Sequence, residues 1–168
     1  IRSKGKMTEA QATLLVTGGT GYIGSHTVVE LLETEGHCGF TKIVIVDDLS
    51  NSSAVCLTRI QEITGKADNF VVFEQLDICD EDGLDAVFSR HAPIKSVVHF
   101  AGLKAVGESV RMPLRYYEKN VGGSVSLVKT MLRHGCKNIV FSSSATLYGE
   151  QEDCTEDKPI MPTNPYGQ

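Results

Sequence analysis

A glycine-rich turn near the start of this sequence has the residue types and spacing of a phosphate-binding loop. Gly18, Gly21 and Gly24 follow an apolar run and lead into a segment of helical periodicity. Glycines permit a tight turn and a close approach of backbone N–H groups to phosphate oxygens, and a helix N-terminus adds partial positive charge. The first glycine interval is one residue longer than in the G-x-G-x-x-G fingerprint. The turn Thr17–Gly24 therefore predicts a dinucleotide pyrophosphate site, with an ordinary strand–helix turn as the alternative.

An acidic residue after the second predicted strand favours one dinucleotide over another. Asp47 follows an apolar strand, at roughly the 20-residue separation from the glycines that is typical of a ribose-binding carboxylate. Such a carboxylate accepts hydrogen bonds from the ribose diol and repels the 2′-phosphate of NADP. No arginine follows closely in the sequence. The sequence therefore favours NAD, with a solvated loop aspartate as the alternative.

Polar and small residues follow the other predicted strands, where a parallel sheet binds its ligands. Asp77 and Ile78 come after the third strand, where an adenine could be met, although Asp77 could equally be a turn or N-cap residue. The pair Ala101–Gly102 follows the fourth strand and permits close backbone approach. The hydroxyl-rich run Ser143–Gly149 follows the fifth strand and is placed for chemistry, although most serine clusters are only loops.

Three further polar residues have less specific surroundings. Lys104 follows the fourth strand and is either a site residue or a solvated charge. His99 lies within an apolar run, so we expect a packed rather than a catalytic histidine. Asn120 and the pair Gly122–Gly123 interrupt a long helical pattern, and both residue types lower helix propensity. Close packing or a polar group offered to a cofactor would explain them.

These residues require an alternation of strands and helices to bring them together. Continuous apolar runs predict buried strands at 14–17, 43–46, 70–76, 96–100 and 138–142. Helical periodicity predicts helices at 22–35, ended by Gly36, and at 53–64, 81–91 and 113–134. The connection rules then give an α/β fold: a doubly wound, Rossmann-like parallel sheet with strand order 3-2-1-4-5.

Composition limits the classes of protein to consider. The chain has 168 residues, 41% of them hydrophobic and 22% charged, which suggests one globular domain over residues 13–168 after a disordered lead-in at 1–12. A net charge of -5 without a basic patch argues against nucleic-acid binding. No apolar run approaches the roughly 20 residues of a membrane helix. Five cysteines without a C-x-x-C pair indicate free thiols in a reducing, cytoplasmic setting.

The chain contains four motif runs: Val16–His26, His99–Ser109, Ser142–Gly149 and Asn164–Gly167. Together they give the chain a resemblance to the extended short-chain dehydrogenase/reductase family. The glycine motif of the first run is shared across that family, whereas the other three runs resemble its UDP-hexose 4-epimerase branch. The second run, which contains Leu103-Lys104-Ala105-Val106-Gly107, is the most specific of them.

The resemblance implies an activity and its partners. It implies that UDP-glucose and UDP-galactose are interconverted in galactose metabolism, by oxidation and re-reduction at sugar C4 through a 4-keto intermediate. NAD would be held tightly on the sheet, and a UDP-hexose would be the substrate. The complete protein would be a homodimer, with the helix at 113–134 as half of a helical interface. The choice between a hexose and an N-acetylhexosamine is left open.

The resemblance also implies roles for individual residues. Tyr166 matches the general base, and Ser144 matches the hydroxyl that assists it. An ordinary tyrosine, with a pKa of about 10, is a poor base at pH 7, but positive charge from nicotinamide and a lysine would lower that pKa. The cofactor contacts predicted from the motifs and the resemblance together are Gly18, Gly21, Tyr22, Ile23, Gly24, Asp47, Asp48, Ser50, Asn51, Ser52, Asp77, Ile78, Phe100, Ala101, Gly102, Lys104, Asn120 and Ser142.

The sequence departs from the family pattern at its end. The lysine of the family's Tyr-x-x-x-Lys motif would fall two positions beyond Gln168. The last strands and the substrate domain would also lie beyond it, so we expect this chain by itself to have little or no epimerase activity. Two alternatives remain open. One is another nucleotide-sugar enzyme such as a dehydratase, which would need an acid/base pair where this chain has Ala145–Leu147; the other is a non-catalytic NAD-binding fragment.

Overall fold

Strands and helices alternate along the chain. The computed structural model describes residues 12–34, 38–65 and 70–168, so most of the expected lead-in, and Gly36, lie outside the described residues. The strands are β1 (Thr13–Thr17), β2 (Lys42–Asp47), β3 (Val71–Gln75), β4 (Ile94–His99) and β5 (Asn138–Phe141). The helices are α1 (Tyr22–Glu33), α2 (Val55–Thr64), α3 (Glu81–Arg90), α4 (Val106–Arg111), α5 (Pro113–Tyr116) and α6 (Gly123–Arg133).

The five strands form one parallel sheet in the order β3-β2-β1-β4-β5, which confirms the predicted topology. In the register of the central strand, Thr17 lies opposite Val46 on one side and His99 on the other. The carboxyl ends of β1, β2 and β4 therefore meet at one edge of the sheet. The candidate site residues that follow these strands are gathered at that edge.

Alternate residues of β1 enter two separate hydrophobic cores. Leu15 faces a core formed with α3 and α6, which includes Phe88 and Leu127. Leu14 and Val16 face the opposite core, which includes residues of α1 and α2. Because both faces are covered, the buried strands are apolar at nearly every position, as expected for a doubly wound sheet.

The long helix predicted at 113–134 differs most from the structure. It begins at Pro113, as predicted, but a separate helix, α4, precedes it, and a π-helical segment at Tyr117–Gly122 divides α5 from α6. In this segment the Gly123 N–H donates to the Glu118 carbonyl, five residues earlier, as well as to that of Lys119. Single π-turns inside α-helices are often found at functional sites. The segment carries Asn120, one of the interrupting residues.

Close packing explains one of the two glycines in this region. A Cβ atom on Gly123 would lie 2.7 Å from Cδ1 of Ile78, in the loop between β3 and α3. The helix can approach the sheet edge only because this position lacks a side chain. A Cβ on Gly122 would meet only the Tyr117 carbonyl, at 3.9 Å, so packing does not require a glycine there.

One border of the sheet is uncovered. β5 pairs with β4 on one side, and Ile139, Val140 and Phe141 are 40%, 64% and 60% exposed. None of the helices in the described part of the chain combines the length and apolar character that a bilayer span requires.

Candidate functional site

The glycine turn lies directly against the end of β4. Gly18 has a φ angle of +68°, and its N–H donates to the Val46 carbonyl over 2.8 Å. A Cβ atom at this position would lie 2.6 Å from the Ala101 backbone nitrogen. Both the backbone angle and the lack of space therefore require glycine, and the turn holds the ends of β1, β2 and β4 together.

The same turn leaves the N-terminus of α1 open. A Cβ on Gly24 would lie 2.2 Å from the Gly18 carbonyl oxygen, so the first helical turn packs against the loop backbone. Gly21 is the N-cap and supplies no side-chain hydrogen bond, and the first turn holds no acidic residue. Tyr22 and Ile23 in that turn are 74% and 55% exposed. Open backbone donors in a space that a Cβ would fill fit a pyrophosphate group.

Asp47 lies at the end of β2, as predicted, and its side chain points to the glycine turn. The carboxylate accepts hydrogen bonds from the Thr20 N–H over 3.1 Å, the Leu49 N–H over 3.0 Å and the Ser52 hydroxyl over 2.9 Å. The Ser52 and Thr20 hydroxyls lie 2.7 Å apart. Asp47 is buried and ties the glycine turn to the loop that follows β2.

That loop carries the other residues predicted to contact adenosine ribose and phosphate. The Asp48 carboxylate accepts the Ser50 N–H over 2.9 Å, which forms a local turn. Ser50 and Asn51 are exposed at the sheet edge. The structure thus brings the predicted loop residues beside the glycine turn, and their contacts with a cofactor stay predictions.

Asp77 forms an ion pair that the sequence analysis did not foresee. Its carboxylate accepts the Cys79 N–H over 3.0 Å, as in a turn, and it also binds the Lys119 ammonium group. Burial would raise the pKa of Asp77, but the hydrogen bond and the charge of Lys119 outweigh it and hold that pKa below its usual range. The hydrogen bond that Lys119 donates to Asp77 correspondingly raises the pKa of Lys119. Ile78, the other predicted adenine contact, is buried in the core.

A chain of buried hydrogen bonds links β1, β4 and the π-helical segment through His99. The Thr17 hydroxyl lies 2.6 Å from His99 Nδ1, and the Ser124 hydroxyl lies 2.9 Å from Nε2. Because the Ser124 hydroxyl donates to the Asn120 carbonyl over 2.5 Å, Nε2 must carry the proton and Nδ1 must accept from Thr17. Burial lowers the pKa of His99 to about 4. The prediction of a packed histidine is confirmed.

Asn120 fixes the loop that follows β4. Its side-chain oxygen accepts the Leu103 N–H over 2.8 Å, and its side-chain amide donates to the Leu103 carbonyl over 2.9 Å. A Cβ on Gly102 would lie 3.3 Å from that oxygen. Asn120 thereby positions the neighbouring Lys104, which is exposed and has no ion-pair partner among the described residues. A direct contact of Asn120 or Lys104 with the cofactor stays a prediction.

The backbone after β4 and β5 continues the same edge of the sheet. The Phe100 N–H donates to the Thr17 carbonyl over 3.0 Å, and the Ala101 N–H lies 3.4 Å from the Thr17 hydroxyl. The Ser142 N–H donates to the His99 carbonyl over 3.1 Å. All three of these predicted cofactor contacts therefore lie beside the glycine turn or the strand next to it.

Ser144 and Tyr166 lie on segments that pack on each other. Ser144 is the N-cap of a 3-10 helix, Ala145–Tyr148, and its hydroxyl lies 2.9 Å from that of Thr146. A Cβ on Gly167 would lie 2.8 Å from the Thr146 carbonyl oxygen, so the Tyr166 segment touches this helix. The segments that carry Ser144 and Tyr166 therefore meet beyond β5, and the roles of the two side chains in proton transfer stay predictions.

Tyr116 supports both Tyr166 and the loop after β4. The two tyrosine rings meet edge to face with centroids 6.4 Å apart. The Tyr116 hydroxyl accepts the Ala105 N–H over 3.0 Å and lies 2.9 Å from both the Ala105 carbonyl oxygen and the Glu108 carboxylate. Burial raises the pKa of Tyr116, and the Glu108 carboxylate adds to this.

Sequence reasoning missed three supporting residues. Tyr116 ends α5, Lys119 lies in the π-helical segment beside Asn120, and Ser124 lies in the first turn of α6. One signal was available, since Tyr116 and Ser124 are each four positions from Asn120 and so belong to one polar face of an apolar-patterned helix. Among the described residues, no group of histidine, cysteine and acidic side chains could hold a metal ion.

Comparisons with known proteins agree with this arrangement. Residues 15–168 match the model of a protein family described as GDP-mannose 4,6 dehydratase. UDP-glucose 4-epimerase 2 of Arabidopsis thaliana is 51% identical over 158 residues, which are 93% of this chain and 43% of that protein. UDP-glucose 4-epimerase of Bacillus subtilis is 54% identical over 157 residues, which are 92% of this chain and 44% of that protein.

A solved structure shows the same fold. The crystal structure of UDP-glucose 4-epimerase from Bifidobacterium longum, in complex with NAD+ and UDP, superposes with a TM-score of 0.82 at 46% identity. The match covers 92% of this chain and 44% of that chain. This chain thus spans less than half the length of each of these relatives.

Proposed function

Because the chain belongs to the GDP-mannose 4,6 dehydratase family of extended short-chain dehydrogenases/reductases, we propose that the protein containing it interconverts UDP-glucose and UDP-galactose with NAD as cofactor. The observation that carries this proposal is the 51–54% identity, over more than nine tenths of the chain, to two proteins named UDP-glucose 4-epimerase. Since this chain spans less than half of those proteins, the activity is proposed for the whole protein.

The residues at the glycine turn fit the proposed cofactor. Backbone donors at the open N-terminus of α1 would hold the pyrophosphate, and Asp47 would accept the adenosine ribose hydroxyls. Oδ2 of Asp47 carries a single hydrogen bond, to the Thr20 N–H, so an acceptor position remains for a ribose hydroxyl. When bound, NAD supplies a hydride acceptor and donor for sugar C4.

Tyr166 and Ser144 would handle the proton at the sugar hydroxyl. Tyr166 would take the proton from O4 when C4 is oxidised and return it when C4 is reduced. The Ser144 hydroxyl would donate to the same oxygen and stabilise the charge that develops on it. Tyr116 would hold the Tyr166 ring by its edge-to-face contact. The substrate oxygen would be converted to a 4-keto group and back, with no net oxidation.

Cofactor binding tests the proposal on this chain. Ile23→Glu places a carboxylate in the exposed first turn of α1, where it leaves the core untouched but repels the pyrophosphate. We expect isothermal titration calorimetry to show NAD binding by the unaltered chain and about tenfold or more weaker binding by this variant. Ile63→Glu is the matched control, because Ile63 is 61% exposed on α2. Failure of the unaltered chain to bind NAD would refute the cofactor site proposed on this chain.

The reaction products separate the proposed activity from its closest competitor. The description of the matching family favours a dehydratase as the second candidate. That reaction needs an acid/base pair beside Ser144, where this chain has Ala145 and Leu147 on either side of Thr146. For the whole protein, we expect UDP-hexose products with both C4 configurations. A 4-keto-6-deoxy sugar would identify a dehydratase instead.

An exposed apolar stripe supports a homodimer of the whole protein. The stripe runs along α5, the π-helical segment and α6 at intervals of three and four residues, which is the spacing of a helix–helix seam. Its members, between 41% and 75% exposed, are Leu114, Tyr117, Val121, Val125, Val128 and Leu132. Sedimentation equilibrium should show a dimer that Val125→Glu converts to a monomer. Val55→Glu, at a 62% exposed position on α2, should leave it a dimer.

The state of the cysteines supports a cytoplasmic location. All five, Cys38, Cys56, Cys79, Cys136 and Cys154, are free thiols. Such thiols persist in a reducing compartment. Fractionation of cells that produce the protein, with detection by an antibody, should place it in the cytoplasmic fraction.

A further inference from the structure

The Lys119–Asp77 ion pair lies at the ligand-binding edge of the sheet. Asp77 follows β3, and the Leu76 N–H donates to the Asp47 carbonyl over 3.0 Å, so the ends of β2 and β3 run side by side. The side chains of Asp77 and Lys119 are 35% and 34% exposed, so both present polar atoms to the solvent-filled edge. The pair therefore adjoins the ribose-binding carboxylate proposed above.

Lys119 lies among the carboxylates at the ends of β2 and β3. Asp47, Asp48 and Asp77 bring three carboxylates to the ends of β2 and β3. The charges of Asp77 and Asp48 both raise the pKa of Lys119, so the ammonium group lies within electrostatic reach of each. Cys79, whose pKa is raised by burial and then by the charge of Asp77, stays a neutral thiol. The ammonium charge of Lys119 thus offsets an otherwise acidic corner.

Both members of the pair have hydrogen-bonding capacity left over. An ionised carboxylate offers about four acceptor positions, and Asp77 uses one on the Cys79 N–H and one on Lys119. An ammonium group has three donors. The pair can therefore accept a hydrogen bond and donate another to a ligand group placed beside it.

We propose that Lys119 is a specificity-determining residue of the adenosine subsite. Its ammonium group allows a subsite that binds 6-amino purines to bind 6-oxo purines as well. The proposal rests on the proposed function and on the prediction from the sequence that the adenine of NAD lies beside Asp77. A 6-amino group is a donor and binds the Asp77 carboxylate, whereas a 6-oxo group is an acceptor that the carboxylate alone would repel. The Lys119 ammonium beside it supplies the donor that a 6-oxo purine needs.

Two dinucleotides that differ at the purine 6-position, and at N1, which carries a proton only in the 6-oxo form, test the proposal through their affinity ratio. NAD and its deaminated analogue, nicotinamide hypoxanthine dinucleotide, are titrated calorimetrically into the full chain. We expect the unaltered chain to bind both with affinities within about tenfold. Lys119→Met keeps most of the side-chain length but removes the donors. Compared with the unaltered chain, it should lower the affinity for the hypoxanthine dinucleotide by a factor of about ten and change the affinity for NAD much less.

The control and the outcomes separate this proposal from the one on which it rests. Lys129→Met removes an exposed lysine of α6 whose nearest carboxylate, that of Glu81, is 3.7 Å away, and it should leave both affinities unchanged. If Lys119→Met lowers the affinities for both dinucleotides equally, or leaves the ratio of the two affinities unchanged, the role of Lys119 is overturned. The proposal that the unaltered chain binds NAD would still stand. If the unaltered chain binds neither dinucleotide, the proposed function fails first, and this inference fails with it.

Discussion

His99 shows how one buried side chain can fix the geometry of several elements. Its ring is 2% exposed and bridges the Thr17 and Ser124 hydroxyls. Only the neutral ring with its proton on Nε2 satisfies this chain of donors and acceptors. Protonation would place a second N–H donor on Nδ1, opposite the donating Thr17 hydroxyl. The hydrogen bonds therefore favour the neutral ring, as burial also does.

Acid should therefore weaken the fold through His99. The pKa of this histidine falls from 6.5 to about 4 on folding, so the unfolded chain binds more protons between those values. Stability from this source is complete above about pH 6.5 and declines as the pH falls towards 4, by up to about 1.4 kcal/mol per pH unit. Urea unfolding at a series of pH values should show this decline in the unaltered chain.

Two substitutions isolate the contribution of His99. His99→Gln should lower stability at pH 7 but flatten the decline below pH 6.5, because the titrating group is gone. His26→Gln, at an exposed position on α1, should keep the decline. An unchanged pH dependence in His99→Gln would show that another group causes it.

Gly18 should not tolerate replacement by alanine. In Gly18→Ala, the new Cβ atom would lie 2.6 Å from the Ala101 backbone nitrogen, and the alanine would have to adopt a positive φ angle. We expect a loss of about 2–4 kcal/mol in the free energy of unfolding by urea. Gly107→Ala is the control, because Gly107 lies in α4 with nothing within 4 Å of its Cβ position, and it should stabilise by about 0.5–1 kcal/mol. Equal effects of the two changes would contradict this account.

At the scale of elements, the interrupted helix positions the loop after β4. Asn120 makes two hydrogen bonds to Leu103, and both depend on the π-helical segment that presents its side chain. Asn120→Ala should leave both Leu103 backbone groups without these partners. We expect a loss of about 1–3 kcal/mol in stability and faster hydrogen exchange at residues 102–105.

A nearby serine provides the comparison for Asn120. Ser126→Ala removes a helical side chain that makes none of the hydrogen bonds found here to the loop after β4. Hydrogen exchange measured by mass spectrometry should leave residues 102–105 of that variant as protected as in the unaltered chain. Unaltered protection of the loop in Asn120→Ala would mean that other contacts hold it.

The sequence predicted those strands and helices that a local pattern of apolar residues marks. β1 and β2 are continuous apolar runs, and their order with the other strands follows from connection rules, so the sheet could be derived without a structure. The π-helical segment could not, because Asn120 and the pair Gly122–Gly123 indicated only that the helix is interrupted and did not indicate how. The Asp77–Lys119 pair was out of reach because 42 positions separate its members and no local pattern joins them.

At the scale of the whole molecule, an apolar strand edge and an apolar helix stripe remain uncovered. The edge strand β5 offers unpaired backbone groups beside Val140 and Phe141. Exposed edges of this kind favour strand-to-strand association. The helix stripe lies on a different element, so association through it is a separate process.

Association through β5 should be suppressed by charge. Val140→Lys places an ammonium group on the edge strand, and we expect light scattering of a concentrated solution to rise more slowly than for the unaltered chain. Val55→Lys adds the same charge to α2, at a position of similar exposure, 62% against 64%, and should not protect. Equal protection by both variants would attribute the effect to net charge.

The π-helical segment also makes the chain tolerant to a change in length. A π-turn accommodates one residue more than the α-helical turn it replaces. Deleting one residue within Tyr117–Gly122 could therefore restore a regular turn without displacing α6 from the sheet. Such a deletion would preserve the fold while rotating Lys119 and Asn120 away from Asp77 and Leu103. A change of one residue in length at this point thus alters which side chains face the sheet edge and leaves the scaffold in place.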